Sequence, residues 1–274
     1  MTNAPRNPST GPEPGSGPAG RAGLAGWIAA AFAWLARLTS PHAALLITLA
    51  AGLVPALLLT VGSAEVYDAV SESDGVARLD QPVLEAAMML RSPQLDGAVT
   101  AFTNLGGTIG MPILAGAAML AMALKWRSWT PVVLLAAAAA GSLLMTVAGK
   151  RLIGRTRPPL TDAVPPYEHS ASFPSGHSLN AVVIAGVVAY LLVLHLDSRS
   201  AKVMTVLGAA VFAAAMGMSR VYLGHHWFTD VLVAWTLGLA WLAVVITAHR
   251  LLHSRRLAGR TAVAGNTAER GRPR

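Results

Sequence analysis

Three short clusters hold the residues of this chain best suited to chemistry. They are Lys150-x6-Arg157-Pro158, then Pro174-Ser175-Gly176-His177, then Ser219-Arg220-x5-His226-x3-Asp230. Together they supply three cations, two histidines and a carboxylate. Hydrolysis of a phosphate ester asks for that inventory: positive charge around the phosphoryl oxygens, a nucleophile in line with the leaving group, and an acid to protonate it. Each cluster sits where an apolar segment begins or ends, so all six groups are expected to meet at one membrane surface.

Each cluster has its own logic and a plainer alternative. Lys150 ends an apolar stretch, and Arg157 follows seven residues later, about two helical turns on and so on the same face if helix continues. Pro158 and Pro159 stop any helix there. Arginine offers phosphate a planar fork and lysine a point charge. A basic cap snorkelling to headgroups explains the pair as well, and accounts in full for Arg151 and Arg155. Ser175 is a good N-cap residue, Gly176 lets a phosphate approach backbone N–H groups, and His177 falls in the first turn, suited to proton donation. The alternative is an ordinary helix start with an interfacial histidine. His226 and Asp230 stand four apart, on one helical face if a helix begins there. A carboxylate holding one imidazole nitrogen leaves the other free to attack, which makes His226 a nucleophile and Asp230 its orienter. The competing reading is a His/Asp pair capping a helix. His225, five residues before Asp230, points about a third of a turn away. Asp162, Glu168 and His169 lie in the outer loop within reach of a substrate, but are expected on a solvated loop face. His42, His195, His249 and His253 are expected at the interface, at the ends of spans.

The elements that position these groups are apolar. Of 274 residues, 54% are hydrophobic and 12% charged. Six charge-free stretches approach bilayer-spanning length: residues 43–64, 97–124, 128–149, 178–194, 203–219 and 231–248. The expected fold is an all-α polytopic membrane protein, a six-transmembrane-helix bundle with its site at the outer membrane–water interface. Residues 1–22, rich in Pro, Gly, Ser and Thr, are expected to be a disordered tail. Residues 23–42, with Trp27 and Trp34, form an amphipathic interfacial segment. Residues 43–249 form the membrane domain and 250–274 a basic cytoplasmic tail. Residues 65–96 are expected to be an acidic outer loop with a short amphipathic helix patterned on Val83, Leu84, Ala87 and Met88. The first apolar stretch follows about forty residues without a signal-peptide pattern and is expected to be retained.

The net charge of +8 resides in the ends: residues 1–37 sum to +2 and residues 250–274 to +6, leaving the body neutral. Such tails reflect membrane topology and anionic lipid headgroups rather than nucleic acid. With both termini inside, the inner side carries fourteen Lys and Arg against seven outside, which favours cytoplasmic termini. The same topology places residues 150–177 and 219–230 on the outer face. The absence of cysteine excludes disulfides, thiolate catalysis and Cys-based metal sites.

In this order and spacing the three clusters resemble the signature motifs of the type 2 phosphatidic acid phosphatase superfamily. Every motif position is matched, through Lys150, Arg157, Pro158, Pro174, Ser175, Gly176, His177, Ser219, Arg220, His226 and Asp230. The resemblance implies a six-helix phosphatase of the cell membrane that needs no metal or cofactor. By that analogy Lys150, Arg157 and Arg220 hold the phosphate, assisted by Ser175 and the Gly176 backbone. His226 attacks phosphorus, Asp230 supports it, and His177 protonates the leaving group. The implied substrates are lipid phosphates: undecaprenyl pyrophosphate, phosphatidylglycerophosphate or phosphatidic acid, which the motifs do not separate. Two rivals stand beside this reading. One is a metal-dependent hydrolase using His177, His225 and His226; the other is a lipid carrier or binding protein that keeps the phosphate site.

Overall fold

A computed structural model describes the backbone of residues 41–270 and the side chains of residues 45–254. The expectations for residues 1–40, the tail and most of the interfacial segment, lie outside the described residues. The chain divides into two compact units at Leu46/Ile47. Of the first, only the start of a helix is described; the second carries the remaining architecture.

The described residues are helical, without strands. In chain order they form α1 (Pro41–Glu72), a 3₁₀ turn (Gly75–Leu79), α2 (Asp80–Met89), α3 (Pro93–Asn104), α4 (Gly110–Trp126), α5 (Thr130–Ile153), a second 3₁₀ turn (Leu160–Asp162), α6 (Gly176–Val193), α7 (Arg199–Tyr222) and α8 (Phe228–Arg270). Five are long and apolar enough to cross a bilayer: α1 from Leu45, α5, α6, α7, and α8 as far as Ser254. Their outward faces carry Leu57, Leu58, Leu144, Met204 and Val211, each more than half exposed. Apolar surface on this scale needs lipid rather than water around it.

Two expectations change in detail. Residues 97–124, expected as one span, are two helices, because Leu105–Ile109, with Gly106 and Gly107, form a turn that separates α3 from α4. Residues 65–72, expected in the acidic loop, continue α1, since nothing in that segment breaks a helix before Ser73, where φ turns to 57°. The short amphipathic helix is present as α2, with Leu84 fully buried. The basic segment from Arg250 remains helical as part of α8 through Arg270.

At the centre stands α6, half of whose apolar window is buried, against 6% for α1. It packs against α4, α5, α7 and α8. Leu179, Val183, Val187 and Leu191 recur every fourth residue and form its core stripe. Between apolar helices, dispersion contacts and a few hydrogen bonds hold the bundle. Ser142 donates to Asn180 Oδ1 (2.5 Å), and the Ser63 and Thr236 hydroxyls meet at 2.7 Å, tying α5 to α6 and α1 to α8. The ends α5-C, α6-N, α7-C and α8-N meet where the three sequence clusters lie.

Candidate active site

The first cluster is assembled by a loop. Gly154, at φ 62°, ends α5 in a left-handed cap, its N–H donating to the Lys150 carbonyl (3.2 Å). The expected continuation of helix to Arg157 is therefore not what aligns the two cations. The chain instead turns back until Ser172 N–H donates to the Arg155 carbonyl (2.8 Å). Both cations then grip the returning segment: Lys150 Nζ donates to Ser170 Oγ (3.0 Å) and the Ala171 carbonyl, and Arg157 Nε donates to the Ser170 carbonyl (2.6 Å).

The third cluster depends on the turn between α7 and α8. Gly224 adopts φ 69° with its α-carbon against the backbone of Asp162 and Ala163, where a side chain would clash. The turn lets the Arg220 carbonyl accept N–H bonds from both His225 (3.0 Å) and His226 (3.2 Å). Arg220, 2% exposed, donates to Glu168 Oε1 (2.8 Å) and to Thr103 Oγ1 (3.3 Å). Helix α8 starts only at Phe228, so His226 and Asp230 are not helical neighbours. They meet across the capping turn: Asp230 Oδ2 accepts the Trp227 N–H (3.0 Å), as the third residue of a capping box does, and lies 3.4 Å from His226 Nδ1. The capping and orienting readings of this pair are thus compatible.

The geometry settles which imidazole nitrogen carries the proton. Arg157 Nη1 lies 3.2 Å from His226 Nε2, and a guanidinium only donates, so Nε2 accepts. The ring proton then sits on Nδ1, beside Asp230 Oδ2 and Ser172 Oγ, each 3.4 Å away. Burial, followed by the charges of Arg157, Arg220 and Lys150, holds the imidazole well below the ordinary histidine range, so it is neutral. His225 also stays neutral, lowered to about 4 by burial and then by Arg220. Its side chain points elsewhere: Nε2 donates to the Val164 carbonyl (2.8 Å) while its own carbonyl accepts from Arg157 Nη1. Burial also lowers Arg157 from its usual value. For Glu168, burial works toward protonation, but Arg220 and Arg157 outweigh it and hold the carboxyl below the ordinary range.

His177 lies in the first turn of α6 beside the α3–α4 turn, where a β-carbon on Gly107 would stand 3.5 Å from its Nε2. Gly176 is partly exposed at the helix start. Ser175 occupies the N-cap position, but its hydroxyl makes no capping bond; fully buried, it meets Ser178 Oγ at 2.8 Å. Of the eight residues singled out from sequence, Lys150, Arg157, Arg220, His226 and Asp230 are joined in one polar network through Ser170 and Glu168, His177 lies beside the α3–α4 turn, and Ser175 turns its side chain inward.

Sequence reasoning missed several participants. Glu168, expected on a solvated loop face, is the ion-pair partner of Arg220. Arg155, assigned a bland basic role, donates to Asp230 Oδ1 (2.6 Å) and to Asp80 Oδ2 (2.6 Å). Asp80, expected among solvated acids, is 5% exposed. Ser172 donates to Asp230 Oδ2. The pattern Arg155-x-Arg157 carried a faint signal, but Asp80, about 150 residues from Asp230, carried none.

Residues 129–253, which include all three clusters, match the PAP2 superfamily. Over 175 residues the chain is 37% identical to phosphatidylglycerophosphatase B of Bacillus subtilis, covering 62% of this chain and 83% of that protein. The chain belongs to the PAP2 superfamily. A crystal structure of a transmembrane PAP2-type phosphatidylglycerolphosphate phosphatase from Bacillus subtilis aligns with a TM-score of 0.65 at 33% identity, covering 71% of this chain and 96% of that one. A shorter match, 42% over 72 residues, is to an undecaprenyl-diphosphatase of Sulfolobus acidocaldarius, covering 26% of this chain and 30% of that protein. This PAP2 member is a multi-pass membrane hydrolase of lipid phosphates.

Proposed function

We propose that the protein hydrolyses a phospholipid phosphate monoester of the phosphatidylglycerophosphate type through a phosphohistidine on His226, without a metal. The observation that carries this reading is the His226 ring, with Nδ1–H facing Asp230 and an unprotonated Nε2 3.2 Å from Arg157. In the first step the Nε2 lone pair forms the N–P bond while the P–O bond to the lipid breaks. The departing oxygen keeps the electron pair and takes a proton from His177, an imidazolium whose charge the bound phosphate balances. The phosphorylated ring retains its Nδ1 proton and becomes cationic, a charge that Asp230 offsets. In the second step water attacks phosphorus, His177 takes its proton, and the N–P electrons return to Nε2. Lys150, Arg157 and Arg220 neutralise the phosphoryl oxygens throughout. Among the described residues no three His, Asp or Glu side chains are grouped to hold a metal ion.

The substrate class rests on the longer of the two sequence matches, to a phosphatidylglycerophosphatase; an isoprenoid pyrophosphate is the second candidate. Counting α4 with the five long apolar helices gives six crossings, the number an outward-facing site requires. Helix α4, with 17 residues, is about 25 Å long, close to the hydrocarbon thickness. It begins beside His177, and at its other end Trp126 stacks on His195 just beyond α6, with ring centroids 3.7 Å apart, so it runs the depth of the bundle. An even number of crossings returns both termini to one side, and the charge bias makes that side cytoplasmic.

The test is phosphate release by detergent-purified protein from phosphatidylglycerophosphate, phosphatidic acid and undecaprenyl pyrophosphate, each with and without EDTA. We expect EDTA-resistant release, fastest from phosphatidylglycerophosphate and abolished in His226→Ala. Release that survives His226→Ala would remove the phosphohistidine, and EDTA-sensitive release would remove the metal-free mechanism.

A further inference from the structure

Arg155 bridges two buried carboxylates, Asp80 and Asp230. Nη1 donates to Asp230 Oδ1 (2.6 Å) and Thr229 Oγ1 (2.8 Å), Nη2 donates to Asp80 Oδ2 (2.6 Å), and the guanidinium carbon lies 5.7 Å from the Trp227 ring centroid. Its own carbonyl accepts the N–H of Ser172, whose hydroxyl donates to Asp230 Oδ2. Asp80, the first residue of α2, accepts Thr229 N–H at Oδ1 (2.8 Å) and Thr229 O–H at Oδ2 (2.7 Å). It therefore satisfies a backbone donor in the first turn of α8, the turn that presents Asp230. Among the described residues, Arg155 and His226 are the only cationic or titratable basic groups within ion-pair distance of Asp230.

We propose that Asp80 and Arg155 are positioning residues for this phosphatase: Asp80 fixes the Arg155 guanidinium, and Arg155 holds the Asp230 carboxylate aimed at the back of His226. The proposal rests on the nucleophilic role of His226 given above. A fully buried carboxylate persists as an anion only when paired and hydrogen-bonded. One arginine between two aspartates leaves a net single negative charge behind the imidazole, the complement of the cationic ring formed when Nε2 is phosphorylated. The second aspartate supplies that surplus, so Asp80 acts on the reaction although it is in contact with neither His226 nor the phosphate-facing cations. Asp80 also ties α2, from the segment between α1 and α3, to the chemistry of α8.

Four variants test this: Arg155→Gln, Arg155→Lys, Asp80→Asn, and the exposed neighbour Arg151→Ala as control. Steady-state kinetics should show kcat reduced roughly 100-fold in Arg155→Gln and about tenfold in Asp80→Asn, the scale of a displaced catalytic group. KM should stay within about twofold in both, because the phosphate-facing cations are untouched. Arg155→Lys should recover part of the loss, and Arg151→Ala should match the parent. A second readout needs no turnover. In protein with ¹⁵N-labelled histidine, the His226 signals, assigned by their loss in His226→Gln, should report an Nδ1–H tautomer that becomes mixed in Arg155→Gln and Asp80→Asn. Parent-like kcat, or a fall in activity carried by KM, would overturn the proposal, as would an unchanged His226 spectrum in both variants. If the parent releases no phosphate, the functional reading fails while the ¹⁵N spectra still decide the positioning role.

Discussion

Glu168 places a carboxylate between the two guanidinium groups proposed to hold phosphate, 2.8 Å from Arg220 and 3.7 Å from Arg157. A guanidinium as buried as Arg220 needs an anion beside it, and Glu168 supplies it; in the proposed mechanism the substrate phosphate takes that place. The same cations keep its carboxyl ionised below the ordinary range, so protonation does not clear the position in mildly acidic solution. An incoming phosphate must therefore displace this carboxylate or share the cations with it. Glu168→Gln keeps the shape but removes the charge, and should tighten competitive inhibition by inorganic phosphate by about tenfold, the weight of one charged hydrogen bond. Inhibition constants measured for both proteins across mildly acidic and neutral pH give the answer; weaker inhibition in the variant would make Glu168 a support for Arg220 rather than a competitor.

At the scale of elements, the site depends on how helices end. Helix α5 stops at Gly154, α7 at the turn through Gly224, and α8 begins with Asp230 returning to the Trp227 N–H. Arg91 reinforces the α7 end: Nε and Nη2 donate to the Tyr222 carbonyl (2.9 and 2.6 Å), and Nη1 to the Asp162 carbonyl (2.8 Å). The two backbones touch at Gly224, so Gly224→Ala faces both a left-handed φ and a steric conflict with Asp162. It should lower stability by roughly 1–3 kcal/mol and depress activity more than Arg91→Ala does. Gly208 is the contrast: a β-carbon there meets nothing within 4 Å in mid-α7, so Gly208→Ala should be neutral or slightly stabilising. Melting curves in one detergent would compare the two; equal behaviour would mean the Gly224 turn yields without strain.

At the scale of the whole molecule, single introduced thiols test the proposed outward-facing site. The chain has no cysteine, so each introduced thiol is unique. Met89→Cys and His169→Cys should react with an impermeant maleimide in intact spheroplasts, whereas Trp129→Cys and Ser200→Cys should react only after permeabilisation. Met89 and Trp129 flank the α3–α4 segment, and both are more than three-quarters exposed. Labelling of these two on the same side would deny α4 its crossing. A reversed pattern at all four positions would put the phosphatase chemistry on the cytoplasmic face.

The sequence by itself determined the class of chemistry and the membrane-bound helical frame. Motif residues have fixed types because phosphate chemistry demands cations, an imidazole and a carboxylate, and long uncharged runs leave little alternative to spanning helices. It placed Lys150, Arg157, Arg220, His177, His226 and Asp230 in one region, although for two pairs the helical spacing it assumed is replaced by loops and a capping turn. Only the tertiary structure decided the partners of those residues. Arg155 on Asp230, Asp80 on Arg155 and Glu168 on Arg220 are ion pairs between segments 52 to 75 residues apart, and sequence periodicity relates residues only within one element. Nor did composition reveal the break at Gly106–Gly107: an apolar stretch reports affinity for lipid, whereas the direction of its backbone is set by what it packs against, here His177 and Met216.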